Sequence, residues 1–552
     1  MPLIVKQISS LEKVRFDDPL EYAEITEKRA LQGDRICYQI SFIAERFQLA
    51  RFSVRSELAD YVTLYQVRDV PMDRPITMKD VPLDGYITHT PGLMPDMLFP
   101  LAEQKNETLV QHQPTTIWVR VDVPKDFAPG KYEINIDVQL YEYEFMFHYK
   151  DITKTMTVEI APAELPEQKL IYTRWFYADC IAQAHNVPIY SEEHWTLIEN
   201  YIAAAADQGL NMILVPTHTP PLNTAIGGSR PCVQLVDIEK KGDSYVFDCA
   251  KLRRFIAICK RNGIAYYEMA HLFSQWGAEF APNIRVTENG KTDYMFGWHV
   301  KANSDEYRDF LNQYLPALMQ VIRQEGIEEN TYFHLSDEPS DKNLERYQTA
   351  HDLVKPHIGK CKLMDALSKY DFYERGLVEC PVTNIEQIGK FLPHNLENQW
   401  MYYCVEPQAV YTNSFIAMKS CRTRILGYLL YKYDIKGFLH WGLNYYNSIN
   451  SMYAINPYIT TSADRRYPSG DAFTLYPSKD GAYHSLRGLI TYDALSDMRV
   501  CQALEQRIGR DKVVEMIDAA AGGELTFESY PDGNEFPEQL RDAMIERIAS
   551  LS

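Results

Sequence analysis

Eight short apolar segments between residues 169 and 450 constrain this chain most, because polar or amphipathic stretches separate them. Their length and their β-branched and aromatic content are typical of buried strands. The segments are 170–177, 211–216, 264–271, 331–338, 361–367, 377–384, 400–405 and 437–443. Eight strand–helix alternations predict a (β/α)8 TIM barrel. A doubly wound open sheet is the alternative, but the chain shows neither a G-x-G-x-x-G motif nor a Walker loop.

Apolar residues at three- and four-residue steps predict the helices between these strands. Residues 304–326 are the clearest case, since their apolar side chains fall on one face of a helix. The other predicted helices are 192–208, 250–262, 340–356 and 412–434.

The first 165 residues predict β-structure instead. In 115–123 and in 131–140, apolar residues alternate with mainly polar ones, the period of a strand with one buried face. A Pro/Gly-rich turn, PKDFAPG, separates the two segments. Several strands without an intervening helix predict an antiparallel β-sandwich. A Pro-rich stretch at 161–168 indicates a junction between domains.

Helical patterns return at 484–500, 501–519 and 536–551. We expect these helices to pack on the barrel or to form a contact in a homo-oligomer. The predicted domains are a β-sandwich over 1–165, a catalytic (β/α)8 barrel over 166–483 and a helical C-terminal segment over 484–552.

Charge and composition narrow the class of function. The net charge of −19 disfavours a nucleic-acid partner, because an acidic surface repels phosphates. No apolar run reaches the length of a membrane span, and the first residues lack the pattern of a signal peptide. The ten cysteines form no C-x-x-C pair, which suits a reducing compartment, so the sequence predicts a cytoplasmic protein. Aromatic residues make up 12%, and aromatic faces stack well on sugar rings.

Polar and aromatic residues cluster at the ends of the predicted strands, where a TIM barrel has its active site. The candidate substrate-binding residues are Trp175, Asp179, His218, His271, Trp276, Tyr402, Trp441 and Asn444. Three histidines and Asp365 could converge on a metal, but no H-E-x-x-H or comparable ligand spacing occurs. We therefore predict neither a metal nor a cofactor.

The strongest signal follows the fourth strand, where Asp337 and Glu338 precede Pro339. Adjacent residues on a strand face opposite sides, so both acids can serve one site only where the pleat ends. Two such close charges raise one pKa, which suits a general acid. The structural alternative is that these acids begin the next helix as N-terminal caps.

Five segments in this order resemble the catalytic region of glycoside hydrolase family 123 and its relatives. They are WFYADC (175–180), HLFSQWG (271–277), HLSDEP (334–339), YYCVEP (402–407) and GFLHWGLNYY (437–446). The resemblance covers residues 115–500. It implies an exo-acting, retaining β-N-acetylgalactosaminidase whose nucleophile is the 2-acetamido oxygen of the substrate. It further implies that Glu338 is the acid/base and that Asp337 orients the acetamido group.

Two other hypotheses remain open at this point. A conventional retaining β-glycosidase would use Glu338 as acid/base and Glu406, after the seventh strand, as nucleophile, with the carboxyls about 5–5.5 Å apart. A non-catalytic carbohydrate-binding protein would not need both acids, and the chain has both. In every case the expected partner is a glycan or glycoside.

Overall fold

The computed structural model describes residues 3–79, 81–101, 106–144, 146–275 and 277–551. Its N-terminal strands are β1 (Ile4–Ser9), β2 (Glu27–Gln32), β3 (Arg35–Ile43), β4 (Gln48–Arg55), β5 (Val62–Met72), β6 (Gly92–Pro100), β7 (Asn106–Leu109), β8 (Pro114–Asp122), β9 (Gly130–Glu142) and β10 (His148–Glu164). The later strands are β11 (Ile171–Arg174), β12 (Met212–Val215), β13 (Asp237–Lys241), β14 (Ser244–Asp248), β15 (Tyr266–Met269), β16 (Ile284–Glu288), β17 (Lys291–Phe296), β18 (Thr331–Phe333), β19 (Lys362–Leu367), β20 (Cys380–Asn384), β21 (Trp400–Tyr402), β22 (Gly437–His440), β23 (Leu475–Pro477) and β24 (Ala482–Ser485).

The α-helices lie mainly in the second half of the chain. They are α1 (Ala178–His185), α2 (Glu192–Asp207), α3 (Ala250–Arg261), α4 (Asp305–Gln324), α5 (Leu344–Val354), α6 (Asp371–Glu374), α7 (Ser420–Arg424), α8 (Leu426–Lys432), α9 (Leu486–Ile508), α10 (Arg510–Ala520) and α11 (Glu535–Ala549). None of the described helices combines the length and the apolar character needed to cross a bilayer.

Two sheets form the N-terminal part. A seven-stranded sheet has the order β1-β3-β8-β5-β6-β24-β23, and a five-stranded sheet has the order β2-β10-β9-β4-β7. The inward residues of β8, such as Val119, and of β9, such as Ile136, share one buried apolar cluster. Burial of these faces holds the sheets together, as the alternating pattern predicts.

Two details of this region differ from the sequence prediction. Strands β8 and β9 lie in different sheets, so the turn between them carries the chain from one sheet to the other. The strand pairing is also not wholly antiparallel, because β10 pairs with β2 in parallel, with Thr157 opposite Glu27. Residues that pair in parallel arrive by a long connection, which a local pattern does not reveal.

All eight predicted barrel strands are present and form a closed barrel in the order β11-β12-β15-β18-β19-β20-β21-β22. Closure comes from parallel pairing of β11 with β22, where Ile171 lies opposite Gly437. A small sheet of β13, β14, β16 and β17 lies beside the barrel. The barrel places the residues that follow its strands at one end, where the candidate site is found.

Three predicted helices have clearly different bounds in the structure. The helix predicted over 412–434 begins only at Ser420, because Asn413 donates from Nδ2 to the carbonyls of Cys404 and Pro407 and holds its segment as a loop. The predicted break between 500 and 501 lies instead at Gly509, whose φ of +84° ends α9. The domain boundaries at 165 and 483 stay predictions. Strand β24 spans the second boundary, and both β23 and β24 join the N-terminal seven-stranded sheet.

Candidate active site

Asp337 and Glu338 follow β18 in an irregular segment, so neither is bound to the alternation of a strand. Glu338 has a φ of +45°, a left-handed conformation that a non-glycine residue adopts at a cost. Asp337 is buried, whereas Glu338 is exposed. Neither acid caps the next helix, because α5 begins at Leu344 with Asn343 as its N-cap residue. The helix-capping alternative for these acids is therefore wrong.

Each of the two carboxylates has its own hydrogen-bond donor. The Nε2 of Gln275 donates to Oδ2 of Asp337 at 2.8 Å, and the hydroxyl of Tyr402 donates to Oε1 of Glu338 at 2.7 Å. Burial and the charge of Glu338 raise the pKa of Asp337 to about 8, although the Gln275 hydrogen bond opposes the rise. The sequence prediction links a raised pKa to the general acid, but the raised pKa lies on Asp337, to which the resemblance gives the orienting role.

Beneath the pair lies a buried set of charged groups that joins four barrel strands. The ring of His334 hydrogen-bonds to Asp365 through Nδ1 at 2.9 Å and to Glu268 through Nε2 at 2.6 Å. Burial alone would lower the pKa of His334, but the attraction of Glu268 and the two hydrogen bonds raise it to about 10. His334 is therefore an imidazolium at neutral pH, and it offsets the charge of the carboxylates on either side.

Three more side chains donate hydrogen bonds to the carboxylates of Glu268 and Asp365. Trp175 donates from Nε1 to Glu268 at 2.6 Å, and the hydroxyl of Thr173 donates to its other oxygen at 2.9 Å. The hydroxyl of Tyr347 donates to Asp365. Trp175 is thus tied to the polar groups under the acid pair and is 4% exposed.

A comparison with protein-family models identifies the family of the chain. The catalytic-domain model of glycoside hydrolase family 123 matches residues 175–504, which include the groups described above except Thr173. The chain belongs to glycoside hydrolase family 123. It is a glycosidase, and the family match covers the barrel from the residue after β11 and continues into α9.

One solved structure agrees with the overall fold of this family 123 member. A family 123 glycoside hydrolase from Clostridium perfringens, solved in a study of glycolipid glycan hydrolysis, is similar over 99% of this chain and 97% of its own, at 15% identity and a TM-score of 0.73. The sporulation control protein Spo0M of Bacillus subtilis matches 29% of this chain and 49% of its own at 11% identity and a TM-score of 0.14, which carries no argument. No curated protein sequence matches the chain.

His271 stacks on His334 in the family 123 site, with ring centroids 4.0 Å apart and planes 14° from parallel. Together with Asp365 these rings offer three possible metal ligands within 4.8 Å of one another. The ring geometry does not fit a shared ion, because an imidazole lone pair lies in the ring plane and two parallel planes cannot both contain one metal. His271 is fully buried, and burial followed by the nearby His334 holds its pKa well below the usual range.

Two other predicted residues bond mainly to the backbone. His218 hydrogen-bonds through Nε2 to the carbonyl oxygen of His271 at 2.8 Å, and burial lowers its pKa to about 4. Asn444 accepts from the backbone N–H of Tyr177 and donates to its carbonyl oxygen, both at 3.0 Å. These contacts support the loops around the barrel end, and a direct contact of either side chain with substrate stays a prediction.

Asp179 lies at the start of α1 and is buried beside Arg230. The closest approach, from Nη1 to Oδ2, is 3.5 Å, and neither carboxylate oxygen has a hydrogen-bond partner among the described residues. Burial raises the pKa of Asp179, while Arg230 opposes the rise. This ion pair is one that the sequence patterns did not predict, because Arg230 lies in a long loop.

Trp441 follows β22 and donates from Nε1 to Asp471 at 2.7 Å. Asp471 is fully buried, and burial raises its pKa to about 7 although the Trp441 bond opposes the rise. Asp471 was not among the predicted site residues, because it lies between β22 and β23 in a segment that shows neither the period of a strand nor that of a helix. Trp276, also predicted to bind substrate, lies outside the described residues.

Glu268 and Gln275 are the most informative residues that the sequence analysis did not select. Glu268 could have been found, since it is an acid inside the apolar segment IAYYEMAH. Gln275 lies in a loop, within the segment HLFSQWG that carries part of the family resemblance, but nothing in that segment distinguishes the role of its amide. Glu406, the alternative nucleophile, is exposed, and after burial its charge contributes to the raised pKa of Glu386.

Proposed function

We propose that the chain is a retaining, exo-acting β-N-acetylgalactosaminidase in which the 2-acetamido group of the substrate is the nucleophile. The observation that carries the proposal is the pair Asp337–Glu338, whose adjacent carboxylates have different environments and different donors. A buried acid and an exposed acid side by side suit two different roles on one sugar. Substrate assistance is an exception to the scheme of two separated carboxylates, so the acids need not flank the bond.

Glu338 is the acid/base in this proposal. Its exposed carboxyl, held by Tyr402, protonates the glycosidic oxygen as the bond to the anomeric carbon breaks. The acetamido oxygen attacks the same carbon from the opposite face and forms an oxazolinium ring. Glu338 then takes a proton from water, which opens the ring and restores the original configuration.

Asp337 is the orienting group. Its carboxylate accepts the acetamido N–H and stabilises the positive charge that develops on the ring. In the free protein, burial and Glu338 favour protonated Asp337 at neutral pH. The cationic ring favours the ionised form of Asp337, while Glu338 carries the proton that passes to the glycosidic oxygen.

Trp175, Tyr402 and Trp441 are the proposed sugar contacts among the described aromatic residues. All three are buried, and each is fixed by a polar bond at one end: to Glu268, to Glu338 and to Asp471 respectively. Rings fixed in this way can present a face to the apolar C–H surface of a sugar without loss of rotamer freedom on binding.

A thiazoline that mimics the bicyclic intermediate tests the proposal. It should inhibit strongly, because analogues of high-energy states bind about 10²–10⁸-fold tighter than substrates. Asp337→Asn should remove most turnover, and Glu406→Gln should be mild. A conventional retaining β-glycosidase would show the reverse: no inhibition, a nearly inactive Glu406→Gln, and a covalent sugar on Glu406 after treatment with a 2-fluoro glycoside.

A further inference from the structure

Gln275 makes two hydrogen bonds that point in opposite directions. Its Oε1 accepts from the backbone N–H of Asn223 at 2.7 Å, and its Nε2 donates to Oδ2 of Asp337 at 2.8 Å. A reversed amide would place two donors together at Asn223 and two acceptors together at Asp337. The orientation of the Gln275 amide is therefore fixed by its neighbours.

Asn223 is itself held by the loop after β22. Its carbonyl oxygen accepts from the hydroxyl of Ser451 at 2.7 Å, and its side-chain oxygen accepts from the hydroxyl of Tyr467 at 3.3 Å. The next turn is tied to the same loop, since the N–H of Ala225 donates to the carbonyl of Asn450 at 3.1 Å. The loop that contains Asn223 and the loop after β22 thus together hold the side-chain amide of Gln275 in place.

Asp337 receives one side-chain hydrogen bond from the described residues, and Gln275 donates it to a single oxygen. A hydrogen bond to one oxygen of a carboxylate restrains the orientation of its plane. It therefore also restrains the direction in which the second oxygen points. Under the proposed function, the second oxygen is the one that must meet the acetamido N–H.

We propose that Gln275 is the positioning residue of Asp337: held by Asn223, it fixes Oδ2 so that Oδ1 is directed at the 2-acetamido group of the substrate. The inference rests on the proposed function. Gln275 acts through Asp337 and need not contact the sugar. The charged and titratable groups around Asp337 are Glu338 in the same segment, Asp365 within β19 and His334 after β18. The Gln275 donor favours the ionised form of Asp337 against both neighbouring acids.

The test uses Gln275→Met, which keeps the length of the side chain but removes the donor, and Gln275→Glu, which adds a like charge. With an aryl 2-acetamido glycoside, kcat should fall about 10- to 100-fold with little change in KM. The acidic limb of the kcat/KM profile should move to higher pH, by about half a unit to one unit in Gln275→Met and further in Gln275→Glu. The control is Gln348, whose Nε2 makes the same kind of bond to Asp352 at 2.9 Å on α5. Gln348→Met should leave both quantities unchanged.

A folded Gln275→Met with wild-type kcat and an unmoved acidic limb would overturn the inference. If Gln275→Met does not fold, an unmoved limb in Gln275→Glu decides against it equally. Failure of the proposed function would look different, because the wild-type protein itself would then show no requirement for the 2-acetamido group.

Discussion

Asp337 and Glu338 are neighbours in the chain, yet one carboxyl is buried against Gln275 and the other is exposed beside Tyr402. At the scale of single residues, this difference is what separates their proposed roles. The left-handed backbone conformation of Glu338 accompanies this difference between the two carboxyls.

Replacing Glu338 by Gln removes the proton donor without removing the side chain. Turnover of substrates with poor leaving groups should fall about 10²–10⁴-fold, the usual contribution of general acid catalysis. Activated aryl glycosides need less protonation and should lose less. Steady-state rates on a matched pair of substrates measure the effect, and equal losses on both would contradict the role.

Asp337→Asn should stabilise the fold while it removes activity. Because burial and Glu338 raise the pKa of Asp337 from 3.8 to about 8, the folded protein disfavours the ionised form. The resulting penalty is absent below about pH 4 and grows as pH rises towards 8, and an amide carries none of it. The unfolding temperature of the variant should therefore exceed that of wild type at pH 8 but not at pH 4. An equal difference at both pH values would contradict this account.

The acid pair could be predicted from the sequence because its motif follows a recognisable strand. Gln275 and Asp471 could not, since each lies in a loop and acquires its role only from a partner that is distant in the chain. Glu268 could have been predicted from the sequence, because an acid in an apolar strand requires a buried partner.

At the scale of elements, the barrel strands end in a charged layer that joins β11, β15, β18 and β19. Glu268, His334 and Asp365 are each at most 1% exposed, so their charges depend on one another. Since the pKa of His334 is raised to about 10, its contribution to stability is full below about pH 6.5 and is lost as pH rises through 10.

His334→Gln leaves two buried carboxylates without their cation. The free energy of unfolding at pH 7 should fall by about 3–5 kcal/mol, the usual effect of breaking a buried charge pair. His357, which is only partly buried and hydrogen-bonds to Asn312, provides the control. His357→Gln should change stability by less than about 0.5 kcal/mol. Denaturant unfolding measures both, and a similar small loss in the two variants would be the contrary result.

The eight strands were predictable because each is a short apolar segment with a helix or a loop on either side. The start of α7 was not, since the contacts that keep residues 412–419 out of a helix come from carbonyls in another loop. Pairing partners were likewise not predictable, because β8 and β9 have clear periods but the period does not say which sheet each strand joins.

At the scale of the whole molecule, Arg487 connects the N-terminal sheet to the barrel. Its guanidinium pairs with Asp96 of β6 at 2.9 Å and donates to the carbonyls of Ser414, Gly470 and Phe473. Strands β23 and β24 extend the same sheet, with Ser485 opposite Met97. Such long-range pairing is not visible in a local sequence pattern.

Asp96→Asn should destabilise the entire chain. Both members of the pair are at most 1% exposed, so the variant leaves Arg487 with an uncompensated buried charge, at a cost of about 3–5 kcal/mol. We expect a single unfolding transition in both proteins, with a lower midpoint in the variant. Calorimetry that resolved a separate early transition for the N-terminal part would contradict the connection.

The central claim is that the substrate supplies its own nucleophile. The most direct measurement compares hydrolysis of 4-nitrophenyl 2-acetamido-2-deoxy-β-D-galactoside with that of 4-nitrophenyl β-D-galactoside by the wild-type protein at one pH. The account predicts turnover of the first and no detectable turnover of the second. Comparable cleavage of both glycosides, or a preference for the sugar without the acetamido group, would contradict it.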